Sequence, residues 1–170
     1  MKKSDSLLFE LSKPAVVVIF VYYIMLLLIG LGLSVFVLCD LSEEMELCEI
    51  INNTVTVSLS MSGVTCCLQY IKRLYKACIT GRVIKCMTGL GQIGNIIYFV
   101  SRPLYAFVFS IISIYCLLSG LFIVTGNVDY IINEKFLYLC AIISSFIGYS
   151  VGHVLDRFET ISQEQIEHIR

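Results

Sequence analysis

Charge is scarce in this chain. Asp, Glu, Lys and Arg make up 15% of its residues, against about a quarter in soluble domains, while 58% are hydrophobic and the mean hydropathy is +0.87. That shortage excludes a soluble globular domain and predicts an integral membrane protein. Histidine is scarcer still: His153 and His168 are the only two, and they cannot build a metal cluster with the scattered cysteines. His153 falls at head-group level rather than in a proton relay. Acidic residues are missing altogether from residues 72–103, where Lys72, Arg73, Lys76, Arg82, Lys85 and Arg102 all fall. Basic connectors of this kind stay on the cytoplasmic side, because positive loops resist translocation and anionic lipid head groups attract them. This one stretch therefore orients all the others.

What is present is a set of long uncharged runs. A span needs about 20 apolar residues, and the runs place four of them at residues 14–38, 54–71, 103–124 and 136–155. Ser12 can cap the first helix and Pro14 suits its first turn. The first run is too long for the apolar core of a cleaved leader, and no small-x-small cleavage site precedes Asp40, so it reads as a retained anchor. Asp40, Glu43, Glu44, Glu46 and Glu49 follow with no Lys or Arg among them, as in an outside loop. Asn53 or Thr54 can cap the second span, which continues past the membrane with Lys72, Arg73 and Lys76 on one side and Gly81 as its stop. Ser101-Arg102-Pro103 reads as a cap, an interface anchor and a helix-start proline for the third span.

The fourth helix protrudes as a cytoplasmic helix over residues 156–170. Of the 12 Lys and Arg residues only Lys135 falls outside, which puts both termini in the cytoplasm. The expected fold is an all-α membrane protein, a single transmembrane domain over residues 1–170 with four transmembrane helices and a basic cytoplasmic connector over 72–102. Gly63-Val64-Thr65 and Gly148-Tyr149-Ser150, half the chain apart, add a candidate duplication into a parallel repeat of two helical hairpins.

The chemical motifs are mostly negative. Gly89-Leu90-Gly91-Gln92-Ile93-Gly94 matches G-x-G-x-x-G, but no strand precedes it and it leads into a span, so it reads as a flexible interfacial turn. No span carries a buried ionisable side chain of the kind coupled transporters and pumps place near the midplane. Enzymes and ion-coupled transporters therefore stand outside the expected functions, and no catalytic, cofactor or metal site is expected. Cys39 and Cys48 bracket the acidic loop and form a candidate disulfide in an oxidising compartment. Cys66, Cys67, Cys78, Cys86, Cys116 and Cys140 read as small apolar packing residues, Cys78 or Cys86 also as acylation positions. Asn52-Asn53-Thr54 is an outward-facing glycosylation sequon.

Two polar faces remain. Ser58, Ser62, Gly63, Thr65 and Gln69 lie on the second span, and Ser145, Gly148 and Gly152 on the fourth, at helical spacing. Small residues so arranged let backbones approach and hydrogen-bond across a helix pair. They form a helix-packing face or, alternatively, the lining of a water-filled path in an oligomer. Lys72, Arg73, Lys76, Arg82, Lys85 and Arg102 are the expected contacts for a cytosolic partner or for lipid head groups.

Four uncharged spans, the YIKRLYK exit, the SRPLYAF entry and the GYSVGHVLDRFE exit resemble small four-helix bacterial membrane proteins of phage defence, such as the membrane subunits of the Kiwa system (KwaA). The resemblance is architectural, covers the whole chain and carries no functional residue over. It implies a homo-oligomeric, multi-pass inner-membrane component that sits with a soluble cytoplasmic partner and responds to phage attack. Immunity proteins against pore-forming colicins have a similar architecture. The expected function is thus a membrane scaffold or sensor that docks a cytosolic partner, with a pore-forming effector and an immunity protein as the alternatives. Its expected partners are the lipid bilayer, further copies of itself and a cytosolic protein, with no direct role for nucleic acid.

Overall fold

The uncharged runs lie within helices longer than the spans they announce. The computed structural model describes residues 13–40, 47–79, 89–125 and 134–169. They form α1 (Lys13–Cys39), α2 (Leu47–Ile79), α3 (Gly89–Thr125) and α4 (Glu134–Ile169). Each contains a segment long and apolar enough to cross a membrane: Lys13–Cys39, Leu47–Lys76, Ile96–Gly120 and Lys135–Leu155. Among the described residues the chain is all-helical and compatible with a multi-pass membrane protein.

Two helix starts differ from the sequence expectation, and each has a local cause. The second helix begins at Leu47 rather than at Asn53 or Thr54, with Glu49 in its first turn, where a carboxylate suits the positive end of the helix dipole. Thr54 caps nothing, since its hydroxyl donates to the Ile50 carbonyl at 2.7 Å, one turn back inside the same helix. The third helix begins at Gly89, so the glycine-rich stretch 89–94 is helical rather than a turn, and Ser101 and Pro103 lie inside the helix. Gly81, the expected stop of the second helix, lies outside the described residues.

An interior proline has no N–H to give to the carbonyl one turn back, here that of Phe99, and its ring crowds the same group. Another helix supplies the missing donor. The Tyr23 hydroxyl of α1 donates to the Phe99 carbonyl at 2.6 Å, and Tyr22 reaches the next carbonyl, of Val100, at 3.5 Å. Membrane helices tolerate proline where neighbours satisfy the freed backbone in this way. Removing the donor in Tyr23→Phe should cost about 1 kcal/mol. In a Pro103→Ala background the same change should cost clearly less, because α3 would then supply its own donor. Thermal unfolding of the four proteins checks this, and equal losses in both backgrounds would remove the link.

Packing centres on α2. It touches each of the other helices, α1 meets α3 over a short stretch only, and among the described residues the α-carbons of α1 and α4 do not come within 8 Å of each other. The least apolar helix is thus the most buried, with 61% of its membrane stretch inside the bundle against 17% for α1. Its hydroxyls survive in that setting because several bond back to their own helix, Ser62 to Leu59 and Thr65 to Met61 among them. By contrast α1 exposes Val17, Val18, Val21, Met25, Leu28 and Phe36, which is consistent with a helix that crosses a membrane.

Close approach fixes the register. A side chain at Gly30 of α1 would meet Val64 and the Ser60 carbonyl, and Gly63 faces Phe107 of α3. Gly148 of α4 lies against the Ser62 carbonyl and the Thr65 hydroxyl, and Gly152 against Tyr70 and Arg73. Rising numbers on α4 thus meet rising numbers on α2, so these two helices run parallel, while α1 and α3 run antiparallel to α2.

Candidate functional site: an arginine and tyrosine cluster inside the bundle

The same proline that requires α1 to approach α3 brings a set of aromatic rings together. Tyr23 stacks on Tyr70 of α2 with ring centroids 5.9 Å apart, and Tyr70 meets Phe99 of α3 edge-on at 6.0 Å. Tyr22 and Tyr98 extend the group on either side. Cys66 and Cys67, both 0% exposed, fill the space one turn from Tyr70 with small apolar groups.

Arg102 is packed into this cluster. Its guanidinium carbon lies 3.9 Å from the centre of the Tyr98 ring and 6.0 Å from that of Tyr70, and the residue is 2% exposed. Arg73, half-buried, stands 5.4 Å from the centre of the same Tyr70 ring. A planar cation over an aromatic face is held by the ring quadrupole, more strongly when water is excluded. Since the apolar segment of α3 begins at Ile96, Arg102 sits about 9 Å inside it at 1.5 Å per residue.

This corrects two sequence expectations. Arg102 is an interior residue rather than an exposed interface anchor, and one segment long and apolar enough to cross a membrane does carry a buried ionisable side chain. The cause is the upstream extension of α3, which draws Arg102 from a helix start into a helix interior, on the face turned to Tyr70. An ionisable side chain buried in a segment of this kind is a candidate site by default. The chemistry on offer is a fixed positive charge 6.0 Å from the centre of the Tyr70 ring, whose buried hydroxyl, like the Gln69 side-chain oxygen, has no hydrogen-bond partner among the described residues.

The remaining expected residues separate into groups. Lys72 and Lys76 are exposed at the same end of the bundle; Arg82 and Lys85 lie outside the described residues. Ser58, Ser62, Gly63 and Gln69 are buried, Thr65 is half-buried, and on α4 Gly148 and Gly152 are buried with Ser145 half-buried. Gly63 serves the α2–α3 seam, whereas Gly148 and Gly152 serve the α2–α4 seam. Ser58 and Ser62 are both 0% exposed within one chain. Cys39 and Cys48 are free thiols, both exposed. The candidate disulfide is not formed, each sulfur standing open at the end of its own helix. No group of three or more His, Cys, Asp or Glu that could hold a metal occurs among the described residues.

Sequence reasoning missed Tyr22, Tyr23, Tyr70, Tyr98 and Phe99 as a unit. A signal existed in Pro103, which inside a helix demands an outside donor, and the tyrosines of α1 are placed to supply it. No family model, curated protein or solved structure matches this chain.

Proposed function

We propose that the protein is a multi-pass inner-membrane subunit, cytoplasmic at both termini, that assembles with its own copies and docks a cytosolic partner on the basic end of its bundle. One observation carries the docking. At that end three helices outrun their apolar segments and expose large apolar side chains beyond them: Ile79 of α2 is 66% exposed, Ile93 of α3 56% and Ile161 of α4 52%. Lipid explains exposed side chains within the spans but not these, and large apolar groups exposed at one end of a bundle suit an interaction surface. Lys72 and Lys76 rim the same end. Beneath it the Arg102 cluster ties α1, α2 and α3 together, which supports a platform of fixed shape.

The parallel course of α2 and α4, with Gly148 against Ser62, is what two like-oriented hairpins would give, so it supports the parallel repeat within the same proposal. Bacterial phage defence is the setting we place first, on the architectural resemblance.

Topology and docking are tested together. Reporter fusions after Arg82 and Arg170 should remain cytoplasmic, and fusions after Glu46 and Asp129 should be exported. An export signal at Arg82 overturns the orientation. With the orientation in hand, Ile79→Asp and Ile161→Asp should abolish co-purification of the cytosolic partner that the wild-type protein retains, while Tm stays within about 2 °C of wild type. Undiminished capture by both variants, or a wild-type protein that stays monomeric with and without that partner, defeats the platform.

A further inference from the structure

Three serines differ from the serines and threonines that bond back to their own helices. Ser34, Thr54, Ser62, Thr65, Ser145 and Ser150 all donate to a carbonyl of their own helix, the usual refuge of a hydroxyl in an apolar setting. Ser58 of α2, Ser110 of α3 and Ser144 of α4 do not. They are 0%, 0% and 1% exposed, and none of their side-chain oxygens has a hydrogen-bond partner among the described residues.

The packing brings these three to one place. Residues three or four apart on a helix share a face, so the neighbours one turn above and below each serine show where it faces. Ser58 lies between Val55, which packs on the Ile114, Phe136 and Cys140 cluster of α3 and α4, and Ser62, which backs onto Gly148 of α4. Ser110 lies between Phe107, set against Gly63 of α2, and Ile114 of that cluster. Ser144 lies between Cys140 of the cluster and Gly148. All three therefore turn into the gap among α2, α3 and α4 at one level, between an apolar layer and the close-packed glycines. That level is near the middle of the apolar segments Leu47–Lys76, Ile96–Gly120 and Lys135–Leu155.

We propose that Ser58, Ser110 and Ser144 jointly bind one buried water molecule in the middle of the bundle. Each hydroxyl offers one donor and two acceptor positions. A buried water typically makes about three hydrogen bonds to polar groups that lack other partners, and three hydroxyls from three helices meet that number without any charge. The water would join α3 to the α2–α4 pair at a depth where no other solvent is available to these groups.

Shared occupancy has a distinctive signature. In purified protein Ser58→Ala and Ser144→Ala should each lower Tm by about 3 °C. The Ser58→Ala/Ser144→Ala double variant should fall by much less than the two losses combined, because the first change already releases the shared molecule. Alanine variants that raise Tm, or whose losses simply add, overturn the proposal. A high-resolution experimental map of the wild-type protein gives the direct reading: density for one water within about 3 Å of at least two of the three hydroxyl oxygens supports the site, whereas hydroxyls bonded to one another or to their own helices remove it.

Discussion

Gly148→Leu should leave little folded, monodisperse protein in detergent. A side chain at position 148 would run into the Ser62 carbonyl and the Thr65 hydroxyl of α2. The carbonyl belongs to the helix at the centre of the bundle and cannot move without moving that helix. Overpacking costs about 1–3 kcal/mol where side chains can yield, so a leucine against backbone should exceed the upper figure, a large fraction of the about 5–15 kcal/mol that holds a typical protein folded. Gly152→Ala should be milder, since it meets the far ends of the Tyr70 and Arg73 side chains. Gly32 and Gly120, with nothing within 4 Å, are the controls, and leucine at either should leave elution and Tm unchanged. If Gly148→Leu elutes and melts like wild type, the α2–α4 seam is not packed as described.

Arg102→Ala should lower stability by about 3 kcal/mol or more. Two contributions add: a desolvated cation over an aromatic face is worth about 2 kcal/mol, and removing a large side chain that is 2% exposed leaves a cavity among Tyr70, Tyr98 and their neighbours, at a cost of the order of 24 cal/mol per Å³ left open. Arg102→Lys keeps the charge but not the plane that lies against the Tyr98 ring, and should recover only part of the loss. The chain has no tryptophan and 10 tyrosines, so near-ultraviolet circular dichroism reads the tyrosine environments directly. A wild-type melting curve for Arg102→Ala would show that the cluster does not hold the bundle together.

How far the fold was legible follows from how each feature is encoded. The four apolar runs are visible because exclusion of charge is a property of consecutive residues, and all four helices contain them. Helix ends were read less well where a tertiary partner overrides a local signal. Pro103 looks like a start until Tyr23, 80 positions earlier in the chain, is known to serve the Phe99 carbonyl. Thr54 looks like a cap until its hydroxyl is seen to turn back on Ile50. Gly148 and Gly152 were legible as close-approach positions from their spacing alone, but their assignment to one seam and Gly63 to another required the arrangement of α2 at the centre. Arg102 was the costliest misreading, since a single arginine beside a proline carries no mark of what surrounds it.

The contact between Tyr23 and the Phe99 carbonyl also bears on biogenesis. A ribosome makes the chain from its N-terminus, so the hydroxyl exists well before the carbonyl that needs it, their positions being 76 residues apart. Were the segment with Pro103 to enter a bilayer, its backbone would have an unmet acceptor, which lipid cannot serve. The earlier helix then acts as a template that is already in place, and insertion of the later one is completed by docking rather than by hydrophobicity alone. A chain begun after residue 39 would carry the acceptor with nothing made in advance to receive it.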